Sequence, residues 1–464
     1  MSQHDTPRDA YLSLRRFQTF FRDVVEAGVW SGASPVRVQV HQITDAKAEP
    51  ISAEEALGRA YADVGVGWRW GPKWSTAWFR VWGEVPREWK GSAVALRFSS
   101  GTEGQIWSVR FGGETPPGTG MTAVRGLDVN RDAYHLTRSA VGGEGVEALI
   151  EAACNHPFGV VGFEWDHSEV HARWNSDSPG LLSRAEVARY EPAAWELRQR
   201  YAVALGLLEE LPLTSPRAGE LLAGLRAATN AIDQRDVAGS AGRASEILGR
   251  VLSSPAGGSA TRCFAVGHAH LDTAWLWPIR ETKRKVLRTF SNQLENLERF
   301  PGYVFLASQT QHYAWAAERD PALFERIRRR VEEGRWEAGG GMWIEPDVNC
   351  VSGESLIRQT LVGEGWWRER FGDRGRQRYL YLPDTFGFGS NLPQIMRHCG
   401  LDTFITNKLH WWQHTTFPHT TFVWRGIDGS WVIGHNTPGR DYNATNTPKE
   451  LRRGEEHHRQ KDTA

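Results

Sequence analysis

The chain has 464 residues, which at ~150 residues per domain suggests two to four domains. Lys plus Arg and Asp plus Glu both number 55, so no net field favours nucleic acid or an anionic membrane surface. The four cysteines lie far apart with no CxxC pair, which argues against a disulfide framework and a cysteine zinc site.

No run of about 18 apolar residues occurs, and the opening MSQHDTPRDAYLSLRR has no apolar signal core, so a cytoplasmic location with no membrane span is expected. Leu14, Phe17, Phe21 and Val24 fall at helical spacing and predict a packing helix. VRVQVHQI then alternates as a short strand. From Trp68 the texture changes. STAWFRVWGEVP, SAVALRFSS, GQIWSVRFGG and VEALIEAAC are short, β-branched and aromatic, and separated by Gly, Pro and Ser. This spacing predicts an antiparallel sandwich over residues 1–185, after the leading helix. Such a module can bind sugar or brace a neighbour, and bracing is the simpler reading.

Residues 186–255 read as a helical connecting region. Trp195, Tyr201, Leu205 and Leu208 form one stripe; Leu221, Leu222, Leu225, Ala228 and Ile232 form another. SSPAGGSATR marks the clearest boundary. From 260 to 464, strand-like and helix-like segments alternate. RCFAVGH precedes a helix near Glu281–Phe300, with Val286, Phe290, Leu294 and Leu297 inward. YVFLAS leads through QTQHYAW to a helix capped by Asp320 with Pro321 at its first position. RWEAGGGMW, a helix from Gly353 to Arg370, RYLYL, a helix LPQIMRHC and DTFITN follow. TTFVWRGIDGSWVIGH reads as a hairpin turning at Asp428-Gly429. The fold class is therefore α/β: a sandwich-like and helical N-terminal region, then a partial parallel β/α barrel.

In such sheets reactive residues gather at the carboxyl ends of strands, and HAHLD, WIEPD, LPDTFG and NKLHWW all fall there. His270 and Asp272 could each give one donor atom to a metal such as zinc; the bland alternative is a polar turn over buried aromatics. Period-two alternation through the turn would put His268, His270 and Asp272 on one face. Trp275 and Trp277 offer flat apolar faces suited to a pyranose ring. Asp384 could bind metal, attack an anomeric carbon or cap the next helix. Glu345 and Asp347 fit catalysis or loop-holding equally. Lys408, His410, Trp411 and Trp412 suit a hydroxyl-rich ligand or a buried aromatic cluster. Glu281 reads as a first-turn residue favoured by the helix dipole. His457 and His458 read as a solvated tail.

Taken together, HAHLDTAWLWP, LPDTFGFGSNLPQI, GGGMWIEPDVN and TNKLHWWQHTTFPHTTFVWRGIDGS resemble an α-mannosidase of glycoside hydrolase family 38, cytosolic-type branch, from about Phe264 onward. The resemblance implies zinc bound by His270, Asp272 and Asp384, with Asp384 also the nucleophile. It implies Trp275 stacked on mannose, Lys408 and His410 near the sugar, and no ligand role for His268. The implied reaction is retaining hydrolysis of terminal α-mannosyl residues of an oligosaccharide, with zinc holding the sugar 2- and 3-hydroxyls. The family's fourth ligand, a histidine, and its general acid, an aspartate, have no match before the chain closes at KDTA. ELRRGEEHHRQKDTA reads as the start of a further helix. The expectation is thus an N-terminal part of such an enzyme, truncated on the C-terminal side and weakly active or inactive as this chain. A non-catalytic carbohydrate-binding remnant and another metal-dependent hydrolase on a β/α barrel are the competing readings. Homo-oligomerisation is left open.

Overall fold

The structure, a computed structural model, describes residues 7–114, 121–156, 168–258, 260–411, 414–441 and 443–458. Two antiparallel sheets build the N-terminal sandwich. One runs in the order Trp30–Pro35, Arg184–Tyr190, Ala93–Ser99, Ala133–Thr137. The other runs Ala62–Val64, Arg37–Ile43, Thr76–Glu84, Gly145–Ala153, Glu103–Phe111, Arg125–Leu127. The five strands read from the sequence, within Arg37–Ile43, Thr76–Glu84, Ala93–Ser99, Glu103–Phe111 and Gly145–Ala153, are all present, and the other five were not read. The boundary drawn between 185 and 186 falls inside Arg184–Tyr190, which belongs to the sandwich. Thr76–Glu84 is buried on both faces for much of its length. Ala77, Phe79 and Val81 face the opposing sheet, whereas Trp78 faces a second core shared with the α/β half.

Helices Pro192–Glu210, Pro216–Ala231 and Val237–Leu252 pack with the leading helix Pro7–Phe20 around Phe17, Leu197, Tyr201, Leu225 and Leu248. Ser215 and Asp236 cap two of them through their side-chain oxygens.

In the last 200 or so residues, Gly267–His268, Phe305–Gln309 and Trp336–Met342 pair in parallel. Tyr379–Leu382, Thr403–Thr406 and Trp431–Asn436 form a second parallel run, with Thr421–Arg425 antiparallel on its edge. The strands read as a partial parallel barrel thus stand in two short sheets, one of them mixed. Two causes are visible. The ladder stops after Trp336–Met342, where Gly340 and Gly341 take φ of +118° and +84°. A Cβ on Gly340 would stand 2.2 Å from the Ser308 carbonyl oxygen, so only glycine fits that close approach. There the Gln377 side chain, donating to the Ala338 carbonyl at 2.7 Å, replaces backbone pairing. The second cause is the Asp428-Gly429 turn, as expected, with Gly429 at φ +87°.

Two further expectations are corrected. RCFAVGH shrinks to Gly267–His268 because Phe264 and Val266 are solvent-exposed, so nothing packs that segment into the sheet. QTQHYAW is no connector but part of helix Thr310–Arg319, which buries Tyr313 among Phe290, Trp336 and Trp367. The Asp320 cap is present: its carboxylate accepts from Leu323 N at 2.9 Å and also from Thr122 Oγ1 and Ala123 N of the sandwich. No helix among the described residues is long and apolar enough to cross a membrane.

Helix Ile279–Arg299 joins the two halves. Val286, Phe290 and Leu294 share one core with Trp78, Trp107 and Leu149 of the sandwich. Beside that core lies a charge network with three acids and three bases. Glu281, fully buried, pairs with Arg284 at 2.6 Å and with Arg288. Glu103 pairs with Lys285 at 2.5 Å and Arg288 at 3.2 Å, and Glu151 with Arg284 at 3.3 Å. Asn155 donates to Glu103 at 2.6 Å, and Arg284 donates to Thr76 Oγ1 at 2.8 Å. Glu281 is therefore the centre of a buried network, not merely a residue favoured by the dipole. Each buried large apolar side chain contributes about 1.5–3 kcal/mol, whereas a buried ion pair roughly breaks even against desolvation. The apolar contact therefore supplies the attraction, and the charges fix the register in which helix and sheet meet.

Burial alone would raise the Glu103 carboxyl. The charges of Lys285 and Arg288 and the hydrogen bonds from Lys285 and Asn155 outweigh it and hold the group down to about 2. Because the folded value lies below the usual ~4.3, the stabilisation is present above that pH and lost as pH falls towards 2. Glu103→Gln should cost about 3–5 kcal/mol near pH 6 by leaving Lys285 and Arg288 underpaired. Urea unfolding midpoints of variant and wild type should converge as the pH is lowered towards 2; a constant gap would refute this account.

Candidate metal and sugar site

Five strands bring six residues, at or just past their carboxyl ends, to one place. Gly267–His268 leads to His270 and Asp272, and Phe305–Gln309 ends on Gln309. Trp336–Met342 leads to Glu345, Tyr379–Leu382 to Asp384, and Thr403–Thr406 to Lys408.

His270 Nε2 lies 3.6 Å from Asp272 Oδ1 and 3.5 Å from Asp384 Oδ2. One donor atom from each of the three residues falls within 4.8 Å of the others. Two ligands at ~2.1 Å from a tetrahedral zinc stand ~3.4 Å apart, so the His270 distances fit such a set. The donors, one imidazole nitrogen and two carboxylates, are ones that zinc and other divalent cations accept. The same carboxylates act on the imidazole itself. Burial would lower His270, but hydrogen bonding to Asp272 and Asp384 and the charge of Glu345 hold it up at about 9. Asp384 Oδ1 meets Lys408 Nζ at 2.5 Å, so its two oxygens face different partners. Lys408 is buried and lies over Trp411 and Phe386, 3.4 and 4.1 Å from the ring centroids.

The loop carrying His270 and Asp272 is pinned from several sides. Thr282, in the first turn of helix Ile279–Arg299, accepts from Ala274 N at 3.1 Å and Trp277 Nε1 at 3.0 Å. Ala274 sits at φ +77°, a conformation a non-glycine residue adopts only when its surroundings hold it there. Thr273 Oγ1 bonds Gln309 Oε1 and His312 Nε2, and Gln309 Nε2 donates to the Leu271 carbonyl at 2.8 Å. Glu345 Oε1 accepts from Asp384 N at 2.6 Å and Thr385 Oγ1 at 3.0 Å.

His268 does not share the cluster. The strand ends at His268, so alternation does not carry through the turn, and its Nδ1 meets the Leu306 carbonyl at 3.1 Å against Tyr381. Burial pushes it down to about 4. Trp275 is half-exposed, with its ring nearly perpendicular to that of Trp277. Trp277 is buried under Lys285 and offers no sugar platform. Asp347 is exposed, its side chain turned to Cys350. His410 turns Nε2 to the Thr437 carbonyl at 2.9 Å and sits near Arg440 and His457, away from the triad's ion pairs. Burial, with the charge of Arg440, takes it down to about 4. His457 lies half-buried in helix Pro448–His457, not in a solvated tail. Trp412 lies outside the described residues. Thr282, Gln309 and His312 carried no signal in the sequence; of the supporting residues Thr273, Glu345 and Thr385 stood in marked motifs. Beside Lys408 opens a cleft of about 810 Å³ lined by Phe386, Phe388, Trp411, Phe417 and Trp424.

Residues 260–464 match the glycosyl hydrolases family 38 N-terminal domain, and residues 34–168 match the alpha-mannosidase jelly roll domain. The chain is 35% identical over 414 residues to alpha-mannosidase G of Dictyostelium discoideum, covering 87% of this chain and 36% of that protein. It is 34% identical over 436 residues to alpha-mannosidase 2C1 of Homo sapiens, covering 93% of this chain and 40% of that protein. It is 32% identical over 410 residues to alpha-mannosidase of Saccharomyces cerevisiae, covering 83% and 35%. The chain thus spans 40% or less of the length of these curated relatives.

Thr282→Val keeps the side-chain volume but removes the acceptor shared by Ala274 N and Trp277 Nε1. It should cost about 1–3 kcal/mol per orphaned donor. Amide exchange at Ala274 should speed up together with a lower urea midpoint; protection at the wild-type level would show that the loop is held by something else.

Proposed function

We propose, for a chain that belongs to glycoside hydrolase family 38, that this site binds a divalent cation, zinc foremost, and the terminal mannose of an α-mannoside, with Asp384 as nucleophile. The observation that carries the reading is the convergence of His270 Nε2 and the carboxylates of Asp272 and Asp384 within 3.6 Å contacts. When bound, the cation supplies Lewis-acid hold on sugar hydroxyls.

The chain's own residues account for the rest. Lys408 fixes Oδ1 of Asp384 and so limits rotation of the carboxylate that must meet the anomeric carbon. Attack forms a bond between C1 and an Asp384 oxygen and breaks the bond from C1 to the departing oxygen, giving a mannosyl ester. Water then attacks C1 from the opposite face, the ester bond breaks, and the sugar leaves with its original anomeric configuration. Trp275 presents an exposed indole to the apolar face of the ring. A retaining pair needs a second carboxyl about 5 Å away to protonate the departing oxygen. Glu345, the nearby acid, is engaged with Asp384 N, Thr385 and His270, so we assign the acid to none of the described residues.

This division makes the first step separately testable, because fluoride leaves without protonation. The full chain should retain one zinc after dialysis, and Asp272→Ala should lose it. A fluorinated mannosyl fluoride should then add one sugar to the peptide containing Asp384, and Asp384→Asn should show none, with a rate loss of about 10⁴-fold or more. Label on another residue, or no label on zinc-loaded chain, would overturn the assignment. A mannoside with a sugar or alkyl leaving group, which departs only with protonation, should turn over slowly at best.

A further inference from the structure

We propose that Glu345 is a positioning residue that fixes the tautomer of His270 and the seat of Asp384, so that three donor atoms present lone pairs to one cation. The proposal rests on reading the His270–Asp272–Asp384 cluster as a cation site.

The two oxygens of Glu345 divide the work. Oε1 receives Asp384 N–H at 2.6 Å and Thr385 O–H at 3.0 Å, so the backbone that carries Asp384 hangs from it. Oε2 stands 3.6 Å from His270 Nδ1, at ion-pair distance. That nitrogen is across the ring from Nε2, which faces Asp272 and Asp384. A neutral imidazole carries one N–H, and a carboxylate only accepts. A cation on Nε2 leaves the one ring N–H to Nδ1, and the Glu345 carboxylate beside Nδ1 favours that tautomer. The backbone of Glu345 is tied to the same loop, since its N–H donates to Gln309 Oε1 at 3.2 Å and Gln309 donates to the Leu271 carbonyl. One residue therefore ties the histidine's motif to that of the second aspartate.

Glutamine at 345 would reverse the logic without changing shape. Asp384 N–H and Thr385 O–H both donate, so they select the amide oxygen for the Oε1 position. The amide NH₂ then faces His270 Nδ1, and a donor beside that nitrogen disfavours a ring N–H on it. The ring proton moves to Nε2, where the cation needs a lone pair.

The experiment is a zinc titration of the full chain against a chromophoric chelator, together with the absorption spectrum of its cobalt(II) form. Glu345→Gln should weaken zinc by about 10–100-fold and alter the cobalt spectrum while thermal unfolding in chelator stays near wild type. Glu345→Asp, still an acceptor but withdrawn from Nδ1, should fall between the two. If wild type binds no zinc, the cation reading and this proposal both fall. If wild type binds and Glu345→Gln binds within twofold with an unchanged spectrum, only the role of Glu345 is overturned. Should Glu345→Gln fail to fold, wild-type affinity in Glu345→Asp would overturn it equally.

Discussion

Everything in the α/β half is subject to one constraint: two carboxylates must be kept against a single imidazole nitrogen. Asp272 and Asp384 approach His270 Nε2 at 3.6 and 3.5 Å. Like charges about 4 Å apart repel by about 4 kcal/mol at an effective dielectric constant near 20, so neither loop would adopt this position by itself. Positive charge offsets part of the cost. Lys408 lies on Asp384, and a proton on the His270 imidazole faces both carboxylates. The remainder is met by the scaffold, which holds each loop by bonds that do not involve the acids themselves.

That scaffold reaches into the sandwich. Thr282 closes the loop after Asp272 and belongs to the first turn of helix Ile279–Arg299. Along its next two turns the same helix sends Arg284, Lys285 and Arg288 to Glu103 and Glu151 of the sandwich. Asp320 repeats the arrangement further on, capping one helix while receiving Thr122 and Ala123. A shift in register between sandwich and helix would move Thr282 and thus the loop it holds. The sandwich therefore braces the site, which is the role its sequence suggested, and does so through particular side chains.

Local patterns were legible where the cause is local. Alternation in VRVQVHQI and β-rich composition between turns placed five of the sandwich strands, the inward stripe Val286–Phe290–Leu294–Leu297 marked the long helix, and Asp320-Pro321 marked a cap that forms as read. Asp384 and Lys408 were legible because each follows an apolar strand, and chemistry collects at strand ends, whereas His270 and Asp272 were legible from the spacing of HAHLD itself. Features made by distant partners were not. Glu281 looks like any first-turn glutamate, because Arg288 is seven residues on and Glu103 lies in another domain-sized unit. Glu345 and Asp347 sit two residues apart in WIEPD with equal claims; the fold turns one onto Asp384 and leaves the other exposed. The strand RCFAVGH was overread for the converse reason. Its composition favours a strand, but a strand needs a neighbour, and Phe264 and Val266 face solvent.

The two histidines of HAHLD show why residue type alone does not assign a role. They are two residues apart and both largely buried. His268 meets one backbone carbonyl and the edge of Tyr381, and desolvation takes it down to about 4, so it is neutral and serves packing. His270 is ringed by Asp272, Asp384 and Glu345, and the same desolvation is overcome, leaving it at about 9. A neutral ring with a carbonyl partner has no reason to collect a cation. A ring flanked on both nitrogens by carboxylates sits where positive charge is wanted, whether the charge is a proton or a metal ion. The difference arises because the strand ends at His268, so that His270 turns away from the sheet and towards the loops of the strands beside it.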